Sequence, residues 1–232
     1  MNPNLLVVGA QPDSLGDWIA AEGRDAGYQV HMAGISGESI HLDITNSGDC
    51  ERVIAERDYH SIVCTAGINQ HSPYVFHHDV EEHMKVNATG PIVLLEYWLK
   101  KWKETERTSP MAPLHFVGIS SNSAHVARSM SAVYCMSKAA LSMGLRCIAR
   151  REAAHWREFN IYGYEPGWID GTPMSEEVEE RLMSDRGVIA RHRIPGDRVV
   201  EPGVLAEMIV MNLRWLRSPL NGTMIRVDGG EQ

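Results

Sequence analysis

The sequence predicts an α/β fold: a doubly wound, mostly parallel sheet of seven strands with helices on both faces. Three observations predict it. Short, continuously apolar runs alternate along the chain with longer segments of helical character. The runs are apolar throughout, as strands buried on both faces are. The 232 residues suit one full-sized core, and no repeat, low-complexity tract or linker divides them.

Leu5–Val8 is the first strand and ends at Gly9-Ala10. Pro12, Asp13 and Ser14 turn the chain. Ser14 with Asp17 three residues on reads as a capping box, opening a helix through about Ala26 that Gly27 ends. Strand, glycine turn and helix N-terminus together make a place for a phosphate, because free N–H groups and the helix dipole meet there. Glycines stand only at Gly9 and Gly16, so the pattern by itself equally fits a plain strand–turn–helix. Tyr28–Ala33 is the second strand. The residues after it, Gly34-Ile35-Ser36-Gly37, offer neither the acid that selects a ribose hydroxyl nor the arginine that selects a 2′-phosphate.

Ile40–Ile44 is a third strand carrying Asp43, which could meet an adenine amino group or cap the helix Ser47–Arg57. Ser61–Cys64 is the fourth, followed by small residues Thr65-Ala66-Gly67. Asp79–Leu99 reads as one helix with Asn87 and Gly90 inside it; Asn87 is either backbone-bonded or a helix break that holds a water. Leu114–Ile119 is the fifth strand and delivers Ser120 and Ser121. A helix from near Ala132 to Glu152 follows, and Ile161–Tyr164 is the sixth strand, leading to Pro166-Gly167. Pro173–Arg193 is charged, Pro202–Leu216 is a helix, and the seventh strand lies within 221–230.

Tyr134 and Lys138 stand at i and i+4 on one helix face. An ammonium beside a phenol favours phenolate, so the tyrosine's pKa is expected to fall towards neutrality, where it can exchange a proton. Ser121, thirteen residues earlier, could hold the oxygen that takes part. A lone Tyr-x-x-x-Lys is a weak motif and on an exposed face would be a solvated pair.

Bulk properties exclude several classes. The net charge of −8 leaves no basic stripe for nucleic acid. Hydrophobic content of 44% with no run approaching a membrane span argues against a membrane protein. Four scattered cysteines (Cys50, Cys64, Cys135, Cys147) read as reduced thiols of a cytoplasmic protein, and no signal peptide is recognised. His77, His78 and His83 lack metal-ligand spacing, so no metal is expected. Cys135 reads as packing rather than as a nucleophile.

In order along the chain, the glycine turn, Asp43, Thr65-Ala66-Gly67, Asn87, Ser121, Tyr134 with Lys138, Pro166-Gly167 with Thr172, Ile194–Pro202 and Val227-Asp228-Gly229-Gly230 resemble the single-domain short-chain dehydrogenase/reductase family, whose pattern runs over essentially the whole chain. The resemblance implies a Rossmann-type fold and hydride transfer between NAD or NADP and an alcohol/carbonyl pair, much as in 3-oxoacyl reductases. It implies Tyr134 as general acid/base, Lys138 lowering its pKa and holding the nicotinamide ribose, Ser121 orienting substrate, and Asn87 holding a relay water. Gly9, Ser14, Leu15, Gly16, Asp43, Ile44, Ala66 and Gly67 would hold the nucleotide, with Pro166, Gly167, Ile169 and Thr172 at the nicotinamide. Residues 172–195 would form a lid, with Trp168, Met174, Met183, His125 and Met130 as candidate pocket lining. A tetramer or dimer is implied, and Val204, Leu205, Met208, Ile209 and Leu213 would suit a face buried internally or between subunits.

Three departures bear on the cofactor. The glycine turn lacks its middle glycine and is one residue longer than the family's, with Asp13 and Asp17 near where pyrophosphate should lie. Cys64 and Thr65 stand where the family has Asn. Gly171 is an extra residue before Thr172. The missing acid after the second strand favours NADP, while the missing arginine opposes it. The altered turn also keeps a rival reading open: a non-catalytic, regulatory protein on the same fold with weakened nucleotide binding.

Overall fold

The structure, a computed structural model, describes residues 2–36, 39–70, 72, 74–105, 113–154, 159–185 and 194–231. Seven strands form one sheet: β1 (Asn4–Val8), β2 (Gln29–Gly34), β3 (Ile40–His41), β4 (Ser61–Cys64), β5 (Leu114–Ile119), β6 (Phe159–Pro166) and β7 (Met224–Val227). Their order is β3-β2-β1-β4-β5-β6-β7, and every pairing is parallel. The connections are helical: α1 (Leu15–Asp25), α2 (Ser47–Glu56), α3 (His77–Met84), α4 (Gly90–Glu104), α5 (Ala132–Glu152), α6 (Pro173–Asp185) and α7 (Pro202–Asn212).

Strand periodicity decides which side chain meets which layer. In β1, Leu5 and Val7 point to one face with Ile19 of α1 and Leu205 and Ile209 of α7. Leu6 and Val8 point to the other, with Leu94 and Trp98 of α4 and Leu145 of α5. Leu205, Ile209 and Leu213 are thus internal, whereas Val204 and Met211 are about half exposed. The indole N–H groups of Trp98 and Trp102 both donate to Tyr59 O, at 2.7 and 2.9 Å, pinning α4 to the loop ahead of β4.

Several sequence expectations change. The helix expected at Asp79–Leu99 is α3 and α4 joined by a π-helical turn, Lys85–Thr89, centred on Asn87. β3 keeps two residues of the expected five, because Leu42 turns inward to the core and Asp49 takes the Asp43 N–H at 3.0 Å. α2 is capped by Asn46 rather than Asp43, whose Oδ1 instead accepts from Thr45 N and Oγ1. The capping box at α1 is half formed. Ser14 Oγ accepts from Asp17 N at 3.3 Å, but the Asp17 carboxylate accepts from Asp13 N, also at 3.3 Å, not from Ser14. α7 ends at Asn212, short of Leu216. Residues 186–193, with Arg186, Arg191 and Arg193, lie outside the described residues, as do Gly37 and the Met183 side chain.

Candidate active site

The strand order reverses between β1 and β4, and a cleft of about 1160 Å³ opens over the carboxyl ends of the sheet at that switch. At one end it is lined by Gly9, Ser14, Leu15, Ile35, Asp43, Ile44, Thr65, Ala66 and Gly67. Gly9 has φ +86, and a side chain there would come within 2.7 Å of Ala66 N, so β1 and β4 can lie this close only with glycine. Thr65 Oγ1 faces Val8 O at 2.8 Å and Gly9 O at 3.1 Å, closing the same turn. Gly16 is not among the lining residues; it packs against the turn at Ala10.

At the middle of the cleft β5 ends in Ile119-Ser120-Ser121, and α5 presents Tyr134 and Lys138. All are buried: Ser121 7%, Tyr134 8% and Lys138 3% exposed. Lys138 Nζ lies 5.6 Å from the Tyr134 ring centre and donates to Ile119 O at 2.9 Å. Ser120 Oγ donates to Lys138 O at 2.9 Å, tying the helix to the strand a second time. Gly67 makes room for this, since a side chain there would press on Lys138 Nζ and Asn87 Oδ1.

The expected downward shift of Tyr134 is not what the free protein holds. Burial pushes its phenol up to about 12, opposed by a hydrogen bond with Ser121 and by the Arg128 charge. Burial also pushes Lys138 down to about 8. Lys138 therefore sheds its charge before the phenol ionises and cannot pull it down in that range. Spacing identified the pair but could not show that both groups leave water.

Asn87 is fully buried, and both of its amide hydrogens are used. Oδ1 accepts from Ile68 N at 2.8 Å; Nδ2 donates to Ile68 O and to Ser137 Oγ, both at 2.9 Å. Ser137 Oγ donates in turn to Tyr134 O at 2.8 Å. Asn87 thus links the π-turn, the loop after β4 and α5. Both amide hydrogens are used, so a water could meet this side chain only at the second lone pair of Oδ1.

At the far end Pro166, Gly167, Trp168, Ile169, Thr172 and Met174 line the cleft, with Met130 opposite on the loop before α5. His125 does not line it; its Nε2 pairs with the buried Glu165 at 2.8 Å. Cys135 is turned to Val126 O. His83 is enclosed between Asp79 O and Gln70 N. Sequence reasoning missed Asn122, Arg128 and Glu231, which also line the cleft. Glu231 stands more than a hundred residues from its partners, and no motif marks it.

The fold and this cleft define a Rossmann-type α/β protein with a large cleft at the topological switch. The chain belongs to the short-chain dehydrogenase/reductase family of oxidoreductases: a family model described as enoyl-(acyl carrier protein) reductase matches residues 10–232. Among curated proteins it is similar to the vibriobactin-specific 2,3-dihydro-2,3-dihydroxybenzoate dehydrogenase of Vibrio cholerae, 28% identical over 73% of this chain. That match spans 64% of the relative's length. Two similar solved structures are 3-oxoacyl-[acyl-carrier protein] reductase from Brucella melitensis in complex with NAD (TM-score 0.84, 21% identity, 99% of this chain and 97% of that one) and L-sorbose reductase from Gluconobacter frateurii with NADPH and L-sorbose (TM-score 0.85, 15% identity, 99% and 96%). At these identities they bear on the fold alone.

Proposed function

We propose that the chain is an NAD(P)-dependent oxidoreductase that interconverts an alcohol and a carbonyl, with Tyr134 as general acid/base. The observation that carries this reading is the meeting of Ser121, Tyr134 and Lys138 in one buried stretch of a cleft large enough for a dinucleotide and a small substrate. Relatives named for dehydrogenase and reductase activity, with NAD in one and NADPH in another, support it.

The residues present fit the cofactor in shape. Gly9, Ser14 and Leu15 would hold the phosphates with Gly16 packed behind the turn, Asp43 and Ile44 the adenosine, and Ala66 and Gly67 the floor beneath it. Pro166, Gly167, Ile169 and Thr172 would enclose the nicotinamide. Hydride transfer is the chemistry the cofactor supplies when bound. Tyr134 Oη gives or takes the proton at the substrate oxygen, and Ser121 Oγ holds that oxygen in place. Lys138, near 8, is mostly charged at neutral pH and would stabilise phenolate there together with Arg128. Gly34, Ile35 and Ser36 carry no carboxylate to repel a 2′-phosphate, so NADPH is expected to bind at least as well as NADH. The segment 172–195 acts as the lid of a single-domain protein, and a homo-oligomer working in the cytoplasm is part of the same proposal.

A specific contact favours a second reading. The Asp17 carboxylate sits on the Asp13 N–H at the start of α1, where a phosphate would look for a donor. A regulatory protein with weak nucleotide binding would tolerate that; a dehydrogenase must overcome it. Calorimetric titration with NADH and NADPH separates the two. Binding of either at micromolar concentration supports the enzyme, and no binding of either at millimolar concentration sinks it.

A further inference from the structure

Beside Tyr134 stands a second polar cluster that the reading above does not use. Arg128 Nη1 donates to Glu231 Oε1 at 2.5 Å, and Asn122 Nδ2 donates to Glu231 Oε2 at 2.8 Å. Arg128 Nη2 also donates to Asn122 Oδ1 at 3.3 Å, fixing the guanidinium and the amide relative to one another. All three residues line the cleft. Glu231 and Asn122 are 3% and 2% exposed. Each carboxylate oxygen has its own donor, one of them a guanidinium, which is how a carboxylate receptor is built.

The occupant comes from the segment that follows β7. Glu231 follows two glycines with positive φ, Gly229 and Gly230, and its carbonyl accepts from Arg226 at 3.0 Å. Among the described residues that line the cleft the cations are Arg128 and Lys138, and Lys138 is committed to Ile119 O. Taking an ion pair out of water seldom adds stability over apolar packing, so a buried pair facing a ligand cleft asks for another use. The cleft also holds a buried donor without a hydrogen-bond partner, Trp168 Nε1, which suits a ligand rich in acceptors. Arg128 is within electrostatic reach of Tyr134, so a group held on it lies near the proposed site of proton transfer.

We propose that Arg128 and Asn122 form the docking site for a carboxylate on the substrate, and that the Glu231 carboxylate fills this place in the free protein. The substrate is then a hydroxy or oxo acid whose carboxylate exchanges with Glu231. It is a monocarboxylic acid, because Asp43, Glu82 and Glu177 also line the cleft and leave a second negative charge without a cation. The hydroxy or oxo group rests on the hydride-transfer reading; the carboxylate site does not.

Benzoate and benzamide, alike in shape and different in charge, test this by calorimetry or ligand-observed NMR. Glu231→Gln, and separately Glu231→Ala, should each bind benzoate at least tenfold more tightly than the wild type. Adding Arg128→Gln to either should abolish the gain, and benzamide should bind no better to these variants than to the wild type. The proposal is overturned if the emptied variants bind benzoate no more tightly, or gain benzamide equally. Loss of folding in both would make Glu231 a structural part and would overturn the exchange as well. Benzoate binding that follows this pattern while neither NADH nor NADPH binds would sink the dehydrogenase reading and leave the carboxylate site standing.

Discussion

Lys138 Nζ donates to the carbonyl of Ile119 at 2.9 Å, so the ammonium that helical spacing sets beside Tyr134 is anchored to the end of β5. Its surroundings hold its pKa near 8 against an ordinary 10.5. Below pH 8 it is charged in both folded and unfolded chains and the cost of burying that charge is complete. Between pH 8 and 10.5 the folded state gives up its proton first, so the wild type gains stability as pH rises. Lys138→Met has no such gain. The difference in unfolding free energy should move in favour of the wild type by up to about 3 kcal/mol across that window, read from urea midpoints at pH 7.5, 9 and 10. Parallel curves would show that Lys138 is not desolvated.

Tyr134→Phe separates chemistry from folding. The loss of one hydroxyl that bonds Ser121 should cost about 1 kcal/mol, while turnover should fall about 10²–10⁴-fold as general acid/base catalysis is lost. The gap in stability should also close at high pH. A phenol held near 12 against an ordinary 10 disfavours the fold as pH rises from 10 to 12, a loss the phenylalanine variant escapes. Thermal melts at pH 9 and 10.5 read this, and full activity in the variant would remove Tyr134 from the chemistry.

Asn87→Ala should be a folding defect first. It leaves the half-buried Ile68 N–H and carbonyl and the fully buried Ser137 Oγ without their partner. The expected loss is about 2–4 kcal/mol, at one to three per stranded buried group with partial relaxation. Chemical denaturation measures it, and a change under about 0.5 kcal/mol would mean that the π-turn is held by something else.

Asp17→Asn tests the charge at the start of α1. Removing a negative charge where the dinucleotide phosphates are proposed to bind should tighten NADPH by about three- to tenfold, at a cost of about 0.3–1 kcal/mol in helix stability. Calorimetry and a thermal melt give both numbers. An unchanged affinity would place the phosphates away from this helix end.

Much of the architecture was legible in the chain. Short, largely apolar runs such as Leu5–Val8 and Ser61–Cys64 fit strands buried on both faces, and β4 matches its expected limits. The 3.6-residue period put Tyr134 and Lys138 side by side before any packing was known. Two kinds of feature were not legible. One is a helix interrupted by a side chain: Asn87 opens the π-turn because Ile68 and Ser137 are there to receive its amide. The other is the protonation of a group whose neighbours arrive from elsewhere, as with the phenol that the lysine alone was expected to make acidic.

The sequence by itself therefore determined what depends on local period and polarity: seven strands, the helices between them, and the tyrosine–lysine face. Tertiary structure alone decided what depends on distant segments meeting out of water. It seated the Asn87 amide on Ile68, raised Tyr134 and lowered Lys138 by burial, and brought Glu231 from beyond β7 onto Arg128 and Asn122. The physical reason is that hydrogen bonding and desolvation act between neighbours in space, and a linear pattern records only neighbours along the chain.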